Sequence, residues 1–253
     1  MTTAKGAGRR RLPGLTVGQG FTRHPFDGEF GVRTSGLVAG RHLHSGHRHD
    51  RHATAYFAVA PSVFQALMRR WRKSRRAEAI EEFSFIDVGA GMGRAVLLAA
   101  ELPFRQVVGV ELNPTLARIA RKNLAAWRSS GRAQAPTKIV CKDAADFRLP
   151  AGPCLAFLFN PFGAPVMQRL LAGWSKTLSE ALEGQGEKLD LIYVNNEQEH
   201  VLERQTGFAR LFAGQVRRSR ADAIADHRIM ANQPEGEYAA ANYEDCSMWR
   251  WVG

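Results

Sequence analysis

The sequence predicts an α/β protein: a doubly wound, mostly parallel sheet preceded by an N-terminal helical and irregular extension. Three observations carry this. Apolar runs of strand length alternate with amphipathic stripes of helical spacing from Phe83 to Val194. A glycine turn, Gly89, Gly91 and Gly93, follows the first run. An acid, Glu111, closes the second run, 22 residues beyond Gly89. The expected organisation is a basic extension over residues 1–82 and an α/β domain over residues 83–253.

Met1 to Gly20 is rich in Gly, Arg and Thr without periodicity, the composition of a mobile tail. Phe21 to Val38 is denser, mixing aromatics with Asp27, Glu29, Arg33, Thr34 and Ser35, and reads as a packing segment or a lid over a neighbouring pocket. His42, His44, His47, His49 and His52 then fall within eleven residues. An HxH spacing on a strand would put two rings on one face, but Asp50 is the only acid nearby and no recognised ligand set is completed, so no metal is assigned. From Pro61 to Trp71, Phe64, Leu67, Met68 and Trp71 recur at helical spacing and predict a core-facing helix. Six cations between Arg69 and Arg76 suit the C-terminal end of its dipole, or a phosphate backbone.

Phe85 to Val88 is a buried strand, Val96 to Ala100 a helix on the sheet, and Val107 to Val110 a second strand. Glycines let a ligand approach the backbone, and a helix start behind them offers free N–H groups. An acid about 20 residues on can accept from ribose hydroxyls. A dinucleotide fingerprint would need glycine where Arg94 stands. Asp87 would place a carboxylate beside a pyrophosphate, whereas it suits a ligand carrying an ammonium and a sulfonium.

The run Ile86 to Gly93, IDVGAGMG, resembles the first motif of class I S-adenosylmethionine-dependent methyltransferases. The resemblance covers Phe83 to Val194 and implies S-adenosyl-L-methionine as cofactor. It places Asp87, Gly89, Ala90, Gly91, Gly93, Glu111 and Leu112 around that cofactor, with Glu111 at the ribose. An acid after the third strand, here Lys138 to Cys141, usually meets the adenine amino group. That implies Asp143 with Ala144, and Asp146 as second candidate.

The fourth strand, Leu155 to Phe159, runs into Asn160, Pro161, Phe162 and Gly163. This is similar to the Asn-Pro-aromatic motif of amino-group methyltransferases. It implies that Asn160 and Pro161 accept hydrogen bonds from the target nitrogen, that Asn160 also borders the cofactor, and that Phe162 stacks on the substrate. The second proline typical of enzymes acting on nucleobases is absent, which leaves lysine, arginine, glutamine or a small amine open. More loosely, the run after the glycines resembles the non-SET histone-lysine methyltransferases. The implied function is methyl transfer to an amino or amide nitrogen of a protein or other acceptor. An RNA or DNA acceptor, or nucleic-acid binding without catalysis, is the alternative.

Beyond this, Asn113 and Pro114 begin a helix, Val166 to Leu182 form a long amphipathic helix, Leu189 to Val194 a fifth strand, and CSMWRWV a closing strand. The net charge of +11 is uneven: residues 1–82 hold 15 Lys and Arg against 6 Asp and Glu. An anionic macromolecular partner, nucleic acid or an acidic protein surface, fits that excess, as does a solvated arm. No apolar run approaches a membrane span and no signal-like segment follows Arg9 to Arg11, so a cytoplasmic protein without membrane association is expected. Three cysteines without CxxC spacing suit reduced thiols.

Overall fold

The computed structural model describes residues 22–75, 78–180, 188–232 and 238–253. The expected tail, and Leu182 with the glycines that follow it, lie outside these residues. In chain order the elements are α1 (Pro25–Phe30), α2 (Pro61–Ser74), β1 (Ser84–Val88), α3 (Arg94–Ala100), β2 (Gln106–Glu111), α4 (Pro114–Ser129), β3 (Thr137–Cys141), β4 (Cys154–Phe159), α5 (Ala164–Glu180), β5 (Leu189–Val194), α6 (Glu199–Glu203), β6 (Phe208–Arg217), α7 (Arg220–Ala231) and β7 (Tyr243–Trp251). The strands form one sheet in the order β3-β2-β1-β4-β5-β7-β6. Pairing from β3 through β5 is parallel, and β7 runs antiparallel to both neighbours.

Burial explains the winding. Along β1, Phe85 enters one core with α2, α3 and α4, while Ile86 and Val88 enter another with α5. Both faces of the strand are covered, which is why β1, β4 and β5 read as continuous apolar runs. The order reverses between β1 and β4, and in such sheets a crevice opens at the carboxyl ends of the strands there.

The extension packs on this sheet through α2, whose Phe64, Leu67 and Trp71 are buried. The helix runs three residues past the expected Trp71, to Ser74, with Arg72 and Lys73 in its last turn. Part of the basic run is engaged within the protein. Arg75 meets the buried Asp190 carboxylate at 2.7 Å, joined there by Arg250 Nε at 2.8 Å and Trp71 Nε1 at 2.8 Å. Arg70 lies 4.0 Å over the Phe212 ring.

Candidate functional site

At the carboxyl end of β1 the chain turns through Gly89, Gly91 and Gly93, all with positive φ. A Cβ on Gly89 would meet the Pro161 side chain, and one on Gly91 would meet the Tyr56 ring, so both positions require glycine for space as well as conformation. Gly93 precedes α3 in the left-handed region. Next to this turn lies a cavity of about 970 Å³, its open mouth included.

Its walls bring together most of the candidate residues. Asp87, Gly89, Ala90 and Gly91 line it from β1 and the turn, Glu111 and Leu112 from β2, Asp143 and Ala144 from the loop after β3, and Pro161 and Phe162 from the loop after β4. These side chains converge because four parallel strands end on one edge. Gly93 and Asn160 are not wall residues. Asn160 is buried with φ +37°, and its Oδ1 accepts from the Tyr193 hydroxyl at 3.3 Å.

Three buried carboxyls face the cavity, Asp87, Glu111 and Asp143, and the first two influence one another. Burial and the neighbouring Glu111 push Asp87 up to about 8. Burial likewise raises Glu111, although the N–H groups of Asn113 and Gly91 donate to its two oxygens at 2.7 Å each and work against the shift. A ligand that brings a cation and hydroxyl donors would favour the charged form of such a pair.

One wall went unread in the sequence. Residues 53–59 form a strap along the cavity, every residue from Ala53 to Val59 lining it. Ala53 bridges to Phe162, the Thr54 N–H points to the Pro161 carbonyl at 3.5 Å, and the Thr54 hydroxyl donates to the Asn160 carbonyl. The Tyr56 hydroxyl donates to the Thr34 carbonyl at 2.6 Å. The available signal was the run Thr54 to Ala60, apolar and aromatic directly after the polar histidine segment.

The segment expected as packing or lid takes the packing role among its described residues, 22–38. Asp27 accepts from Thr34 N and Ser35 N at 2.7 Å, and Arg94 reaches the same group, its Nε donating to Thr34 Oγ1 at 2.7 Å and its Nη2 lying 3.8 Å from Asp27. Arg94 also donates to the Val59 carbonyl at 3.3 Å, anchoring the strap. The histidine segment is not simply solvated: His49 Nδ1 lies 2.7 Å from Asp143 Oδ2, and His47 Nε2 lies 3.8 Å from it. Asp146 is not a wall residue.

No family model matches the chain. A type II methyltransferase, M.XamI of Xanthomonas campestris pv. amaranthicola, is 37% identical over 120 residues, which span 46% of this chain and 20% of that protein. Among solved structures, TrmN of Thermus thermophilus aligns with a TM-score of 0.49 and 19% identity, over 77% of this chain and 49% of that one. Magnesium protoporphyrin IX methyltransferase of Synechocystis PCC 6803 aligns at 0.45 and 11%, over 76% and 79%. No helix among the described residues is long and apolar enough to cross a membrane. With seven strands in this order, β7 reversed, a glycine turn after β1 and an acid closing β2, the chain has a doubly wound, mostly parallel α/β fold, and the stretch it shares with the type II methyltransferase is about a fifth of that protein's length.

Proposed function

We propose that the chain binds S-adenosyl-L-methionine in this cavity and transfers its methyl group to an amino or amide nitrogen of a protein or other acceptor. The observation that carries the reading is the pairing of buried Asp87 with buried Glu111 beside the left-handed glycine turn. Asp87 would hold the cofactor's ammonium and Glu111 its ribose hydroxyls. Gly89, Ala90, Gly91 and Gly93 would let it approach the backbone, Leu112 would pack against it, and Asp143 with Ala144 would meet the adenine.

S-adenosyl-L-methionine, when bound, would supply an electrophilic methyl group; the acceptor nitrogen's lone pair would take it as the carbon–sulfur bond broke, and the nitrogen's proton would leave to solvent. The chain's own contribution is placement. Pro161 and Phe162 stand at the cavity wall at the end of β4, where an acceptor nitrogen would replace the Thr54 N–H on the Pro161 carbonyl. Asn160, held by Tyr193, would fix the direction of that carbonyl; movement of the strap would free the Asn160 backbone carbonyl, and its amide oxygen would become available on exchange with the Tyr193 hydroxyl. Residues 53–59 act as the lid.

An acceptor on a nucleic acid is the second reading. Its support is a groove beyond the carboxyl end of β6 lined by Arg217, Arg218, Arg220 and Arg228. Fluorescence anisotropy with DNA and RNA at several salt concentrations separates the readings, since phosphate contacts give a steep salt slope. For the cofactor, isothermal titration with S-adenosylmethionine, S-adenosylhomocysteine and NADH should show saturable binding of the first two. Binding of NADH alone would overturn the proposal.

A further inference from the structure

Asp50 locks the loop between Ser45 and His49. Its carboxylate accepts from Ser45 N and Gly46 N at 2.8 Å, from His47 N at 3.1 Å and from Ser45 Oγ at 2.6 Å. Burial alone would raise this carboxyl, but those bonds hold it below its ordinary value. The locked loop aims two imidazoles at the same carboxylate, that of Asp143 across the edge of the cavity.

The orientation of each ring follows from its other contacts. His47 Nδ1 accepts the His49 N–H at 3.2 Å, which leaves Nε2 turned toward Asp143. His49 Nε2 lies 3.4 Å from Arg169 Nη1, with Nδ1 facing Asp143 Oδ2. The His49 side chain is 10% exposed and that of Asp143 6%. His49 Nδ1 and Asp143 Oδ2 are both buried without a hydrogen bond of acceptable geometry. Either the neutral Nδ1–H tautomer of His49, whose Nε2 then faces Arg169 as acceptor, or a metal ion would join these two atoms. The three ligand atoms all lie within 4.8 Å of one another. Ligands on a tetrahedral zinc ion sit about 3.4 Å apart, so modest adjustments of the side chains suffice.

We infer that His47 Nε2, His49 Nδ1 and Asp143 Oδ2 form a binding site for a divalent transition cation, zinc by its ligand set, that staples the histidine segment to the loop after β3. Two imidazoles and one carboxylate are a zinc-type donor set, and three protein ligands leave a fourth position for water. His47, 35% exposed in its side chain, provides the way in. Asp143 Oδ1 already takes the Ala145 N–H at 3.0 Å, which fixes the carboxylate from behind. A coordinating oxygen keeps a second lone pair, so the metal role leaves Asp143 able to meet an adenine amino group. The inference does not depend on methyl transfer.

The test uses the full chain with any affinity tag removed, stripped with EDTA and titrated with Zn²⁺ against a chromogenic indicator, without cofactor. One equivalent should bind, and Asp143→Asn and His49→Gln should each weaken it about tenfold or more, whereas His44→Gln should leave it unchanged. Equal weakening by His44→Gln, or none by Asp143→Asn, would mean adventitious binding by the histidine run and would overturn the site. Because Asp143→Asn also disturbs the loop, Co²⁺ provides a check on the unmodified chain. Intense visible absorption of four-coordinate cobalt supports the site, and the weak spectrum of hexaaqua-like cobalt counts against it. No uptake of either ion would show that a proton alone joins His49 and Asp143.

Discussion

The Gly91 N–H donates to Glu111 Oε2 at 2.7 Å, joining two residues 20 positions apart in the chain. The glycine turn and the acid that closes β2 are therefore one unit, with the carboxylate oriented before any ligand arrives. Reading the sequence alone, one expects Glu111→Ala to weaken cofactor binding and leave the fold intact. The structure changes that expectation. Removing the carboxylate also leaves the Gly91 and Asn113 N–H groups unpaired, so the variant should lose about 1–3 kcal/mol of stability along with affinity. Glu111→Gln keeps one acceptor oxygen and should lose less. Urea denaturation and calorimetric titration of both variants check the split.

Asp87 makes cofactor binding depend on pH in a defined direction. Its carboxyl titrates near 3.8 when unfolded and is pushed up to about 8 in the folded chain by burial and Glu111. Between those values the folded state holds a proton that the unfolded state releases, so stability falls as pH rises from about 4 to about 8. A cationic ligand needs the carboxylate, so binding should release a proton and tighten up to about tenfold per pH unit until near pH 8. Calorimetry in buffers of different ionisation enthalpy measures the proton. Asp87→Asn should flatten the stability profile and lose the pH-dependent affinity; an unchanged profile would show that another group is responsible.

Asn160 combines a left-handed backbone with a Tyr193 contact. Asn160→Ala should cost about 1 kcal/mol in backbone strain and, once an acceptor is in hand, reduce turnover about 100-fold through misplacement. Cofactor affinity should stay within twofold. Asn160→Gly removes the strain without restoring the amide, so turnover that recovers in this variant would assign the residue a purely conformational role.

Arg94 should matter for folding more than for chemistry. Arg94→Met strands the buried Asp27 carboxylate without its cation and should destabilise the chain by about 3–5 kcal/mol. Adding Asp27→Asn should recover part of that loss. A chemical-denaturation double-mutant cycle reads the coupling, and simple additivity would count against a shared role.

The strands and helices between Phe83 and Val194 were legible because each is a local pattern. An apolar run covered on both faces reads as β1, β4 or β5, and Asn113 with Pro114 announces α4 through a cap and a fixed φ. β6 and α7 escaped. β6 is largely exposed and lacks a continuous apolar run, and α7 carries Asp222 and Asp226 on its buried side where an apolar stripe would be expected.

Arg94 shows how the same residue reads differently at the two levels. As a member of a glycine-loop pattern it argues against a dinucleotide, because a side chain there would crowd a helix against its strand. In the fold it points to Asp27 and Thr34 and secures the segment from which the strap descends.

Local pattern alone was enough for the wound α/β core, the glycine turn, the acid at the end of β2 and the Asn-Pro-Phe loop, since these depend on spacing within a few tens of residues and on φ values that only certain side chains permit. Tertiary structure alone decided that Thr54 and Tyr56 wall the cavity, that Asn160 stands behind it, and that His49 meets Asp143 across 94 positions. Contacts of that range arise from chain folding that no local periodicity records. They join segments whose own compositions, a histidine-rich loop and a turn carboxylate, carry no signal of one another.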